Sequence, residues 1–227
     1  MKTLQYLYSE NFYHTDKGTK HTYLETYDEL FNPLKEKKIN LLEIWINIGG
    51  SLKLFYDYFS SGNIYGIDII DIRKRLKPDY KGKNKGINKS INFFLNNDKI
   101  NLKFFDCNNK NLVDQNFSEN FFDLIIDDAS HDIYYQINTF NLFKSKLKKN
   151  GYYIFEDVGA GKRDIWHILY PNRNRKSKNV RLPTFNLTQE EKNKYINCSD
   201  EFRNEALTNY TEKSIKYILD NVDKNEF

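Results

Sequence analysis

Apolar and polar positions along this chain sort into short buried runs that alternate with amphipathic stretches. The runs at 39–46, 63–69, 100–105, 122–126 and 152–155 are rich in Ile, Leu, Phe and Tyr, as buried strands are. Between them the spacing turns helical. Leu24, Tyr27, Leu30 and Phe31 mark a helix over 21–31 that Pro33 ends, and Leu54, Phe55, Tyr58 and Phe59 mark one over 52–59. A short helix is expected over 91–95. The longest stripe (Ile133, Ile137, Phe140, Phe143, Leu147) predicts a helix from 131 to 149, stopped by Asn150-Gly151. After residue 157 the pattern loosens, with short helices expected over 164–170 and 210–222.

Strands alternating with helices at this rhythm predict an α/β, Rossmann-like, doubly wound and mostly parallel sheet. Its helices lie on both faces, and its crossovers are right-handed. The expected layout is a single domain at 39–227, preceded by an N-terminal helical segment at 1–38. No apolar β-branched run follows the last helix, so a closing strand pair is expected to be shortened or missing.

Composition narrows the partners more than the fold. The 227 residues carry 35 Lys and Arg against 31 Asp and Glu, a net charge of +4. That balance is too mild to specify nucleic acid, although basic runs at 73–86 and 173–181 leave a phosphate-bearing acceptor open. Cys107 and Cys198 form neither a disulfide framework nor a metal finger, which favours a reducing compartment. No signal peptide or membrane-length apolar run is present, so a soluble cytoplasmic protein without a membrane partner is expected. A homo-oligomer remains open.

The chemistry concentrates where the strands stop. The run at 122–126 ends in Asp127, Asp128 and then His131, and the run at 152–155 ends in Glu156 and Asp157. Neighbouring parallel strands lie about 4.8 Å apart, so these acids would emerge at one sheet edge. Several carboxylates beside an imidazole suit a hard cation with a general base next to it. Earlier in the chain a strand runs into Asn47-Ile-Gly-Gly-Ser51 and a helix, and the next strand ends at Asp68. That is a nucleotide-type turn in outline, the acid being suited to ribose hydroxyls. Its spacing is not that of a dinucleotide loop, which disfavours a nicotinamide dehydrogenase.

Taken together, Thr15-Asp-Lys-Gly18, Leu42-Glu-Ile44, Gly49-Gly-Ser-Leu-Lys-Leu54, Tyr65-Gly-Ile-Asp-Ile69, Ile126-Asp-Asp-Ala-Ser-His131 and Glu156-Asp157 give the chain a family resemblance. It resembles the class I S-adenosylmethionine-dependent methyltransferases, and within them the metal-dependent sugar O-methyltransferases of the mycinamicin and demethylmacrocin type. The resemblance implies that Glu43, Gly49, Gly50, Ser51, Asp68, Asp106 and Asp127 border S-adenosyl-L-methionine. It implies that Asp128, Glu156 and Asp157 bind Mg²⁺, and that His131 with Asp128 carries catalysis on a sugar or glycan hydroxyl. The residues alone leave Asp127 open between a ligand contact and a structural hydrogen bond. The chain departs from the family pattern at Trp45, where a glycine is usual. That departure keeps a second reading alive, a non-catalytic binding protein on the same fold, beside a third, a methyltransferase for RNA.

Overall fold

The central strands exist because their residues are apolar on both faces. In β1 (Asn40–Ile44) and β4 (Phe122–Asp127), Leu41, Leu42, Leu124, Ile125 and Ile126 are all fully buried, as the inner strands of a parallel sheet must be. In the computed structural model described here, which covers residues 2–19, 21–75, 93–94, 96–131, 133–158 and 216, they are joined by β2 (Asn63–Asp68), β3 (Ile100–Phe104) and β5 (Leu147–Phe155). The strand order is β3-β2-β1-β4-β5, with β1 parallel to both β2 and β4 and β2 parallel to β3. This is the expected Rossmann-like, doubly wound sheet. Its winding reverses between β1 and β4, where Glu43 pairs in register with Ile126 and Ile44 with Asp127. Open α/β sheets bind ligands at such a reversal, beyond the carboxyl ends of the strands.

Among the described residues the sheet is accompanied by helices α1 (Leu4–Glu10), α2 (Tyr23–Phe31), α3 (Gly50–Tyr58), α4 (Lys110–Asn116) and α5 (Ile133–Phe143). The sequence pattern misses α1 and α4, each only seven residues long. Both are held by side-chain caps, Thr3 accepting from the Tyr6 N–H and Asn109 from the Leu112 N–H. The Asp28 carboxylate of α2 also accepts from the Leu4 N–H at 2.6 Å, tying α1 to α2.

The long helix expected over 131–149 is corrected. It ends at Phe143, a 3₁₀ turn covers Lys144–Lys146, and Leu147 already belongs to β5. Leu147 lies in step with the helical stripe and is buried, but as a strand residue. The Asn120 and Phe121 N–H groups capture the Ser145 and Lys146 carbonyls at 2.9 and 2.8 Å, drawing the chain into the sheet five residues early. Of the stretch at 91–95, Phe93 and Phe94 are helical. The expected helix at 164–170 and the basic run at 173–181 lie outside the described residues, as does the helix at 210–222 except for helical Lys216.

The chain divides into two units, 1–128 with 141–154, and 129–140 with 155–227. The core of the first unit draws on α1, α2, β1, α3, β2 and β4. Leu4, Leu7, Tyr13, Leu24, Tyr27 and Phe31 are buried in it with Ile39, Leu41, Phe55 and Phe59. In the second unit Phe140 packs on Phe155, with ring centroids 5.7 Å apart. Among the described residues no helix is long and apolar enough to cross a membrane.

Candidate functional site

The loop leaving β1 adopts backbone angles that side chains normally avoid. Trp45 (φ 73°), Asn47 (φ 51°) and Gly49 (φ 80°) are all left-handed. Glycine meets this demand without strain. Trp45 meets it with a half-buried indole attached, while its backbone N–H donates to the Ile67 carbonyl at 2.7 Å. The position therefore keeps the glycine conformation without the glycine.

Gly49 and Gly50 are required by protein neighbours. A Cβ on Gly49 would fall 2.4 Å from the Phe94 ring, and one on Gly50 would fall 2.0 Å from the His14 carbonyl oxygen. The N-terminal segment thus crosses the start of α3 in backbone contact. Tyr13 anchors that crossing, buried with its O–H donating to Asp57 of α3 at 2.8 Å.

That crossing delivers a residue the sequence reading assigned no role. Lys17, in the turn after the segment, has a side chain only 2% exposed. Its Nζ lies 2.9 Å from Asp128 Oδ2 and 3.5 Å from Glu43 Oε1. A buried ammonium needs such partners, because desolvating an isolated charge is prohibitive. Glu43 itself is fully buried, and Ser51 Oγ donates to its Oε2 at 2.7 Å. Burial pushes the Glu43 carboxyl up to about 7 against the opposing pull of Lys17 and Ser51. The only advance signal for Lys17 was its place inside the Thr15-Asp-Lys-Gly18 motif; a lysine in a turn ordinarily reads as solvated.

The other predicted site acids of the first unit, Asp68, Asp127 and Asp106, have structural partners. Asp68, 3% exposed, accepts from the Asn47 N–H at 3.1 Å and the Ile70 N–H at 2.9 Å, stapling the β1 loop to the tip of β2. Asp127 is fully buried and accepts from the Tyr153 O–H at 2.9 Å. Burial, with that carboxylate beside it, holds the Tyr153 phenol well above its ordinary range. The structural hydrogen bond left open for Asp127 is thus present. Asp106 is exposed and accepts from the Asn108 N–H at 2.9 Å in a turn leading to α4.

In the second unit His131 Nδ1 lies 3.5 Å from Asp157 Oδ2. Asp157 is itself left-handed, with φ 51°, and such backbone strain clusters at functional positions. Glu156, 4% exposed, is fixed through its backbone, its carbonyl accepting from Gln136 Nε2 of α5 at 2.9 Å. Of the other histidines, His21 stacks on Tyr23 and lies 3.6 Å from Asp16.

No family model matches the sequence. The chain is 25% identical over 152 residues to the 8-demethyl-8-alpha-L-rhamnosyl tetracenomycin-C 2'-O-methyltransferase of Streptomyces olivaceus, an alignment covering 63% of this chain and 35% of that protein. It is also 25% identical over 154 residues to the mycinamicin VI 2''-O-methyltransferase of Micromonospora griseorubida, covering 64% and 34%. The chain thus spans about a third of the length of the curated relatives it matches. Among solved structures it superposes on the MycE methyltransferase of the mycinamycin pathway in complex with Mg and SAH. The TM-score is 0.53 at 25% identity, over 74% of this chain and 38% of that one. By sheet order, motif and these likenesses, the chain resembles the class I S-adenosylmethionine-dependent methyltransferases and, among them, the sugar O-methyltransferases of macrolide pathways.

Proposed function

We propose that this protein is an S-adenosylmethionine-dependent, Mg²⁺-assisted O-methyltransferase acting on a sugar or glycan hydroxyl of a small molecule. The observation that carries the reading is the His131 Nδ1–Asp157 Oδ2 approach of 3.5 Å, an imidazole with a carboxylate behind it. The donors suit the ligands. Asp128, Glu156 and Asp157 offer the hard oxygens that Mg²⁺ prefers, and they would hold it. Glu43 is held beside the start of α3, its Oε2 accepting from Ser51 at 2.7 Å and its Oε1 lying 3.5 Å from Lys17 Nζ. Glu43, Ser51, Asp68 and the start of α3 at Gly49-Gly50 would border the methyl donor, with Asp106 and Asp127 at its margin.

When bound, the sulfonium brings an electrophilic methyl group, and the divalent ion lowers the pKa of the acceptor hydroxyl. The chain does the rest. His131, whose Nδ1 lies 3.5 Å from Asp157 Oδ2, would take the hydroxyl proton. Asp128, the last residue of the first unit, supports orientation of the hydroxyl for in-line attack.

A second reading, a binding protein without transfer, rests on the half-buried indole of Trp45. Calorimetry separates the two: native protein that takes up S-adenosylhomocysteine supports transfer, whereas uptake only by Trp45→Gly supports the binding module. With radiolabelled donor and a panel of glycosides, Asp128→Ala and His131→Ala are each expected to lower methyl transfer at least about a hundredfold. EDTA is expected to inhibit the native protein, and full activity in EDTA would refute the metal role.

A further inference from the structure

Four acids stand at or just beyond the carboxyl ends of β1, β2 and β4, and three of them accept from neutral donors. Asp68 takes two backbone N–H groups, Asp127 takes the Tyr153 hydroxyl, and Glu43 Oε2 takes Ser51. Asp128 takes an ammonium instead, Lys17 Nζ at 2.9 Å. The same Nζ lies 3.5 Å from Glu43 Oε1, a buried acceptor with no hydrogen bond among the described residues. The two acceptors differ in exposure. The Asp128 side chain is 21% exposed, while those of Lys17 and Glu43 are 2% and 0%.

We infer that Lys17 is a tethered counter-cation that occupies Asp128 until a divalent ion arrives, and then shifts onto Glu43. The inference rests on the reading of Asp128 as a metal ligand. An ion entering from solvent meets a carboxylate that is 21% exposed and already paired through Oδ2 with the buried ammonium. Two cations on one carboxylate repel each other, and the flexible four-carbon stem lets Nζ retreat. The retreat is short, since Glu43 Oε1 is within 3.5 Å and has an acceptor site to spare. Lys17 thereby compensates the half-buried Asp128 carboxylate in the metal-free protein and tempers metal affinity. It is a positioning residue, acting through Asp128.

The test is Mn²⁺ binding to the full chain without cofactor, followed by electron paramagnetic resonance, together with thermal melts. Lys17→Met and the donor-retaining Lys17→Gln are each expected to bind Mn²⁺ about tenfold more tightly than the native chain. Metal-free Lys17→Met is expected to melt below native, with the gap closing as Mn²⁺ saturates, a pattern that a purely structural lysine would not produce. Asp128→Asn is expected to weaken Mn²⁺ binding in both the native and Lys17→Met backgrounds. If Asp128→Asn weakens binding but neither Lys17 variant tightens it, the counter-cation role falls and the metal reading stands. Absence of Mn²⁺ binding in the native chain and in both Lys17 variants overturns the two together.

Discussion

Trp45, in the left-handed region at φ 73°, is where a single side chain and the backbone disagree. A non-glycine residue there costs on the order of 1 kcal/mol or more. Half-burial of the indole returns a comparable amount through apolar surface removed from water. Trp45→Gly is therefore expected to be nearly neutral for stability, shifting the melting temperature by no more than about 4 °C. A larger fall would mean that the indole packs as a core residue. Lys17 shows the complementary lesson. Its motif was visible in the sequence, but nothing local distinguishes a turn lysine in water from one that is 1% exposed against Asp128 and Glu43. Asp127 is similar, because the hydrogen bond that settles its structural partner comes from Tyr153, 26 residues away.

At the scale of elements, the interior strands were the most legible parts. Runs such as Leu124-Ile-Ile126 are buried on both faces, and their composition states that directly. Helix ends were less so. The 131–149 stripe continued through Leu147 because a residue facing the core keeps its hydrophobicity whether it sits on a helix or a strand, and the Ser145 and Lys146 carbonyls were claimed by distant N–H groups. The entry to α3 gives a direct test of element packing. Gly50 lies against the His14 backbone, and a peptide carbonyl cannot rotate aside as a side chain can. Gly50→Ala is expected to destabilise the protein by about 2 kcal/mol, read from urea denaturation, despite alanine being the better helix former. An unchanged or improved midpoint would show that the N-terminal crossing is not docked on α3.

For the molecule as a whole, the boundary expected at residue 38 falls inside the first unit. Leu4 and Phe31 are fully buried in one core with Leu41 and Phe55. Deleting residues 1–38 would strip this core of several large side chains, each stabilising by about 1.5–3 kcal/mol when buried. The truncated chain is expected to lose its cooperative thermal transition, and a native-like melt from residues 39–227 would show the segment to be dispensable. The sequence by itself determined the alternating α/β plan and the acidic strand ends, because burial of a run and the chemistry of its last residues are local properties. Tertiary structure alone decided which of those acids are already engaged, that Trp45 holds a glycine's backbone shape, and that Lys17 joins the cluster. Those depend on distances between residues as many as 111 positions apart in the chain, which no local pattern encodes.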